Sequence, residues 1–179
     1  MPQAYLGERK QTMIRPDPGL RARLEDGALT RGYGTRKTSR YIVDLLAALH
    51  PDSNRYAEAA ESATTLVRAL VHAACDMRTT SDQEPRPTNV RPGPELRVRI
   101  ERGARQRNYR NLNPYLVDLL AALHPDPATH PEAAAAAVSV VDALLEAATR
   151  MTTSGAEPLQ VTLDLNIPPV LARRAFEAA

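Results

Sequence analysis

The sequence predicts a mainly α-helical fold with a short β ribbon, built from tandem copies of one unit. Three observations carry this expectation. The run "YIVDLLAALHPD", Tyr41 to Asp52, returns as "YLVDLLAALHPD", Tyr115 to Asp126, with only Ile42 exchanged for Leu116. A repeat of that length marks a duplicated structural unit. Apolar residues recur at helical spacing through three successive stretches of each copy, and a short extended segment stands ahead of each.

The copies align over most of their length. Arg15, Leu20, Leu24, Gly27, Ala28 and Tyr33 reappear as Arg91, Leu96, Ile100, Gly103, Ala104 and Tyr109. Beyond the shared run, Glu58, Ala69, Leu70 and Met77 match Glu132, Ala143, Leu144 and Met151. The unit is therefore about 75 residues, the size of a small domain. The expected division is a first repeat over 1–80, a second over 81–155 and a partial third over 156–179. Two coupled half-size cores are expected rather than one.

In the first copy, Thr12, Met13 and Ile14 are the only strand-like cluster of an otherwise polar start. Pro18 suits the first turn of a helix and Asp17 its N-cap. From Gly19, Leu20, Leu24 and Ala28 recur at helical spacing. Gly27 costs about 1 kcal/mol against alanine in a helix, so its return as Gly103 points to a close helix crossing. Ser39 is read as the cap of the second helix; in the other copy Asn113 caps and Pro114 opens the helix. Tyr41, Ile42, Leu45, Leu46 and Leu49 form a wide apolar stripe that His50 and Pro51 stop. A third helix runs from about Tyr56 to Met77.

After the Pro-rich stretch "RTTSDQEPRPTNVRPGP" the same order recurs: Thr88 to Arg91 extended, then helices over Glu95–Arg107, Pro114–Leu123 and Pro131–Arg150. In the tail, Val161, Leu163, Leu165 and Ile167 alternate with polar residues, and Pro168 and Pro169 open a helix. This looks like the strand and first helix of a third copy.

Composition narrows the function classes. Net charge is only +2, yet between Arg86 and Arg110 eight arginines stand against two glutamates. Such unevenness suggests one face for an anion and another for packing. The lone cysteine, Cys75, excludes an internal disulfide and reads as a small buried hydrophobe. The start lacks a signal peptide's apolar core and no apolar run spans a bilayer, so the chain reads as soluble and cytoplasmic, with no membrane partner. The four histidines lack metal-ligand spacing, and no phosphate loop or nucleophile motif is present. Neither an enzyme nor a cofactor is expected.

An extended basic segment, a proline, an amphipathic helix, a Gly-containing turn and a second helix together resemble the ribbon-helix-helix superfamily of DNA-binding proteins, the Arc–MetJ type. "NVRPGPELRVRIERGARQRNY" followed by "NPYLVDLL" carries the resemblance best, and "TLDLNIPPVLARRA" matches the ribbon and helix start. It covers roughly the first half of each repeat and leaves the third helices outside. The resemblance implies that the two extended segments pair antiparallel and lie in a duplex major groove. Alternation then turns Thr12, Ile14 and Val90 toward the helices. Gln11, Met13, Arg15, Asn89 and Arg91 face outward as base readers. It further implies a phosphate held at the start of each second helix, near Ser39 and Asn113, with Arg36, Lys37, Arg40 and Arg110 adding charge. Asp164 disfavours DNA contact by the tail strand, which is better suited to a protein.

"HPD" also resembles the loop of J-domain co-chaperones, whose preceding helix is strongly basic. Here that helix is apolar with one aspartate; His50 and His124 sit favourably at helix C-termini, and proline ends each helix. The expected function is a sequence-specific double-stranded DNA-binding protein, a transcription regulator or a plasmid or phage accessory factor. The alternative is a helical protein-interaction module or antitoxin-like neutraliser. It would meet a partner protein, or a second copy as a homodimer, through the third helices and residues 161–167.

Overall fold

A computed structural model describes residues 11–34, 36–77 and 84–153. Within them the order is β1 (Thr12–Ile14), α1 (Pro18–Thr30), α2 (Thr38–Leu49) and α3 (Ala57–Asp76). It continues as β2 (Thr88–Val90), α4 (Pro94–Gln106), α5 (Leu112–Leu123) and α6 (Pro131–Thr153). The fold is mainly helical with one small antiparallel sheet. The tail over 161–167 and the helix expected after it lie outside the described residues.

β1 and β2 pair antiparallel, with Thr12 opposite Val90, Met13 opposite Asn89 and Ile14 opposite Thr88. A ribbon this short is marginal alone; it is stabilised by its inner face. Ile14 and Val90 are fully buried in the core and Thr12 nearly so. Prolines end both strands: Pro16 and Pro92 remove the donors that a longer ladder would need.

α1 starts where the sequence predicts. The Asp17 carboxylate accepts the Leu20 N–H at 2.9 Å and Pro18 occupies the first turn. α2 and α5 start earlier than expected. α2 opens at Thr38 after Lys37, and α5 at Leu112 after Asn111, neither with a side-chain cap. Ser39 and Asn113 are thus second-position residues, not caps, and Pro114 follows within the first turn. Asn113 has another duty: its Oδ1 accepts the Arg15 backbone N–H at 2.7 Å. That donor lies just past β1, and the amide satisfies it.

The long third helices cross between the halves. α3 packs chiefly on α5, and α6 chiefly on α2. The reason is the width of the apolar stripes. On α2, Tyr41, Ile42, Leu45, Leu46, Ala48 and Leu49 are all buried, more surface than α1 and the ribbon cover. α3 of the same half covers a part, and the opposite half, chiefly α6, covers the rest. Buried apolar residues from both halves consequently form one cluster, running from Ile14 and Val90 through Leu45, Leu66, Leu119 and Leu144. This corrects the expectation of two half-size cores. Cys75 is exposed on α3, not buried.

Candidate functional site

Two arrangements stand out, one inside the molecule and one on its surface. The internal one explains the repeated histidine, tyrosine and glycine. At the end of α5, His124 Nδ1 lies 3.0 Å from the Leu120 carbonyl and Nε2 lies 2.7 Å from Tyr41 Oη. His50 at the end of α2 does the same with the Leu46 carbonyl, at 3.0 Å, and Tyr115 Oη, at 2.8 Å. A carbonyl only accepts, so Nδ1 carries the proton and the tyrosine hydroxyl donates to Nε2. Burial lowers both imidazoles to about pKa 4, with the neighbouring arginines adding to the effect. Burial likewise raises Tyr41 and Tyr115 to about 12.

His50 and His124 are therefore neutral at pH 7 and serve their helix ends by donating to a last-turn carbonyl. Arginines serve the helix ends as well: Arg23 Nε donates to the His124 carbonyl at 2.7 Å and Arg99 Nε to the His50 carbonyl at 2.8 Å. The glycines make room. A Cβ on Gly27 would stand 3.0 Å from Tyr41 Oη and 3.3 Å from His124 Nε2. On Gly103 it would stand 2.9 Å from Tyr115 Oη and 3.1 Å from the His50 ring. The close approach is to a buried side-chain pair, not to another helix backbone. Each pair joins a residue of one half to a residue of the other, so the arrangement braces the halves together.

The surface arrangement is the ribbon. Gln11, Met13, Arg15, Asn89 and Arg91 are all exposed, Met13 to 48%. They form one row because their strand neighbours Thr12, Ile14 and Val90 point into the core. The N-terminal end of α5 lies against β1 and α2 lies against β2. Around the start of α2, Arg36, Thr38 and Ser39 share a recess with Thr88 and Asn89.

Of the basic residues expected there, Arg36, Lys37 and Arg110 are exposed. Arg40 is 62% exposed but paired through Nε with Asp44 at 2.9 Å. Asp44 also accepts from Tyr33 Oη at 2.9 Å. The positive cluster between Arg86 and Arg110 is partly internal. Arg97 pairs with Glu101, Arg99 holds His50, and Arg107 donates to the Gly103 and Thr64 carbonyls. Arg86, Arg102 and Arg105 of that cluster are exposed too. The outward row of the ribbon has an arginine in each strand's wake and the first turns of two helices next to it. Such a surface offers N–H donors and positive charge to an anion.

Among the described residues no group of histidine, cysteine and carboxylates is placed to hold a metal ion. No helix there is long and apolar enough to cross a membrane. No family model, curated protein or solved structure matches the chain.

Proposed function

We propose that the protein binds double-stranded DNA sequence-specifically, as a ribbon-helix-helix protein whose two tandem units, 1–80 and 81–155, together supply one ribbon. Its role is then that of a transcription regulator or a plasmid or phage accessory factor. The observation that carries the reading is the antiparallel pairing of Thr12–Ile14 with Thr88–Val90, which turns Gln11, Met13, Arg15, Asn89 and Arg91 outward together. A two-stranded β ribbon fits the major groove. Arginine there bonds guanine bidentately, and glutamine or asparagine bonds adenine.

Phosphates are taken by the first turns of α2 and α5, around Ser39 and Asn113, with Arg36, Lys37, Arg40 and Arg110. These contacts set position and most of the salt dependence, and the ribbon sets sequence. A gel shift against random duplex at low salt tests the reading. Retardation that disappears steeply between about 50 and 200 mM salt is expected. A chain that leaves the duplex unshifted at the lowest salt contradicts it.

The second reading, a helical interaction module or antitoxin-like neutraliser, is favoured by one feature. A groove of about 740 Å³ between α1 and the start of α6 is lined by Ala22, Ala134, Ala135, Val138 and Val141. Val138 there is 52% exposed. Under that reading alone, the gel shift stays blank.

A further inference from the structure

We infer that the ribbon reads an asymmetric duplex site, one whose two halves differ in sequence. The inference rests on the DNA-binding reading above and deepens it.

The register sets Met13 opposite Asn89. Continued one alternate step each way, it sets Gln11 opposite Arg91 and Arg15 opposite Pro87. An antiparallel pair has a local two-fold axis through its centre, here through the Met13–Asn89 pair. That axis exchanges Arg15 with Arg91, Met13 with Asn89, and Gln11 with Pro87.

The first exchange is neutral. Both arginines follow a strand, both are exposed, and both are followed by a buried proline, Pro16 or Pro92. Each presents the same fork, suited to guanine O6 and N7. The other two exchanges are unequal. Met13 offers an apolar chain suited to a thymine methyl group, whereas Asn89 offers an amide that can both donate to and accept from adenine. Gln11 brings a second amide, and Pro87 brings no donor at all.

A ribbon made by two identical chains repeats every side chain about its axis and so matches a self-complementary site. A ribbon drawn from one chain is free of that requirement, and these residues depart from it. The flanks depart as well: Arg36 and Lys37 precede α2, where Arg110 and Asn111 precede α5. The site therefore carries a guanine contact in each half around an interior that does not read the same on both strands.

Selection of bound sequences from a random duplex library with the full chain tests this directly, followed by competition with the two self-complementary derivatives of the selected site. A consensus that is not self-complementary is expected, with each derivative bound about tenfold more weakly, the scale of one lost base contact. Met13→Asn should narrow that gap for the derivative built from the half that Asn89 contacts. Both residues are exposed, so the core is untouched. A self-complementary consensus, or derivatives bound as well as the parent site, overturns the asymmetry and leaves DNA binding standing. If no duplex is retained at low salt, the asymmetry and the DNA-binding reading fall together.

Discussion

Gly103 sits where a methyl group has no room, and the consequence is measurable. Its Cβ would lie 2.9 Å from the hydroxyl of Tyr115, which is itself fully buried against His50. Helix propensity alone favours Gly103→Ala by about 1 kcal/mol. Overpacking a buried pair costs about 1–3 kcal/mol, so the substitution should lower stability in urea unfolding, and a gain would refute the packing argument. The same pairs set a pH dependence. The folded imidazoles of His50 and His124 take a proton only near pH 4, while an unfolded histidine takes one near 6.5. Between those values the unfolded state binds more protons, so stability falls as pH drops from about 6.5 to about 4. The combined loss is on the order of a few kcal/mol. Denaturation midpoints across that range should show it, and the Tyr41→Phe, Tyr115→Phe double variant should be less stable at pH 7, where the Nε2 acceptors lose their donors. None of this was legible in the sequence: Tyr41 meets His124 across 83 positions and His50 meets Tyr115 across 65. The repeated glycine marked a close approach without naming the partner, and the repeated tyrosine and histidine gave no sign that they pair across the copies.

Elements were legible where a local pattern decides them. Alternation along the ribbon that the family resemblance implies turned Ile14 and Val90 inward, and Asp17 with Pro18 was enough to start α1, a step set by neighbouring residues alone. The starts of α2 and α5 were misjudged because a good capping residue was taken as a cap. Asn113 instead accepts from Arg15, 98 residues away, and no local rule contains that demand. Asn113→Ala should therefore loosen the ribbon edge, with faster amide exchange at Arg15 and a stability loss of about 1 kcal/mol; unchanged exchange at Arg15 would count against the contact. The long helices were placed correctly along the chain but not in space. Leu66 on α3 and Leu144 on α6 are fully buried, and α3 and α6 lie on α5 and α2. Truncating either leucine to alanine should cost about 2–5 kcal/mol.

At the scale of the molecule, the crossing of α3 and α6 makes the two halves interdependent. Duplicated segments suggested separate cores, because a repeat in sequence says nothing about which copy's stripe covers which. With one buried cluster, unfolding should follow a single transition by every probe. Either half expressed alone should not exist as a folded monomer, since α2 would lack α6 and α5 would lack α3; sedimentation of the isolated halves checks this. The interleaving also has a functional use under the proposed reading: it holds two strands from distant positions as one rigid ribbon, with two helix starts beside it. The most direct measurement is the affinity of the Arg15→Ala, Arg91→Ala double variant for a selected duplex site and for random duplex. Affinity for the selected site should fall by at least about tenfold, toward that for random sequence. A variant that still binds the selected site as tightly as the parent chain would contradict the ribbon as the reading surface.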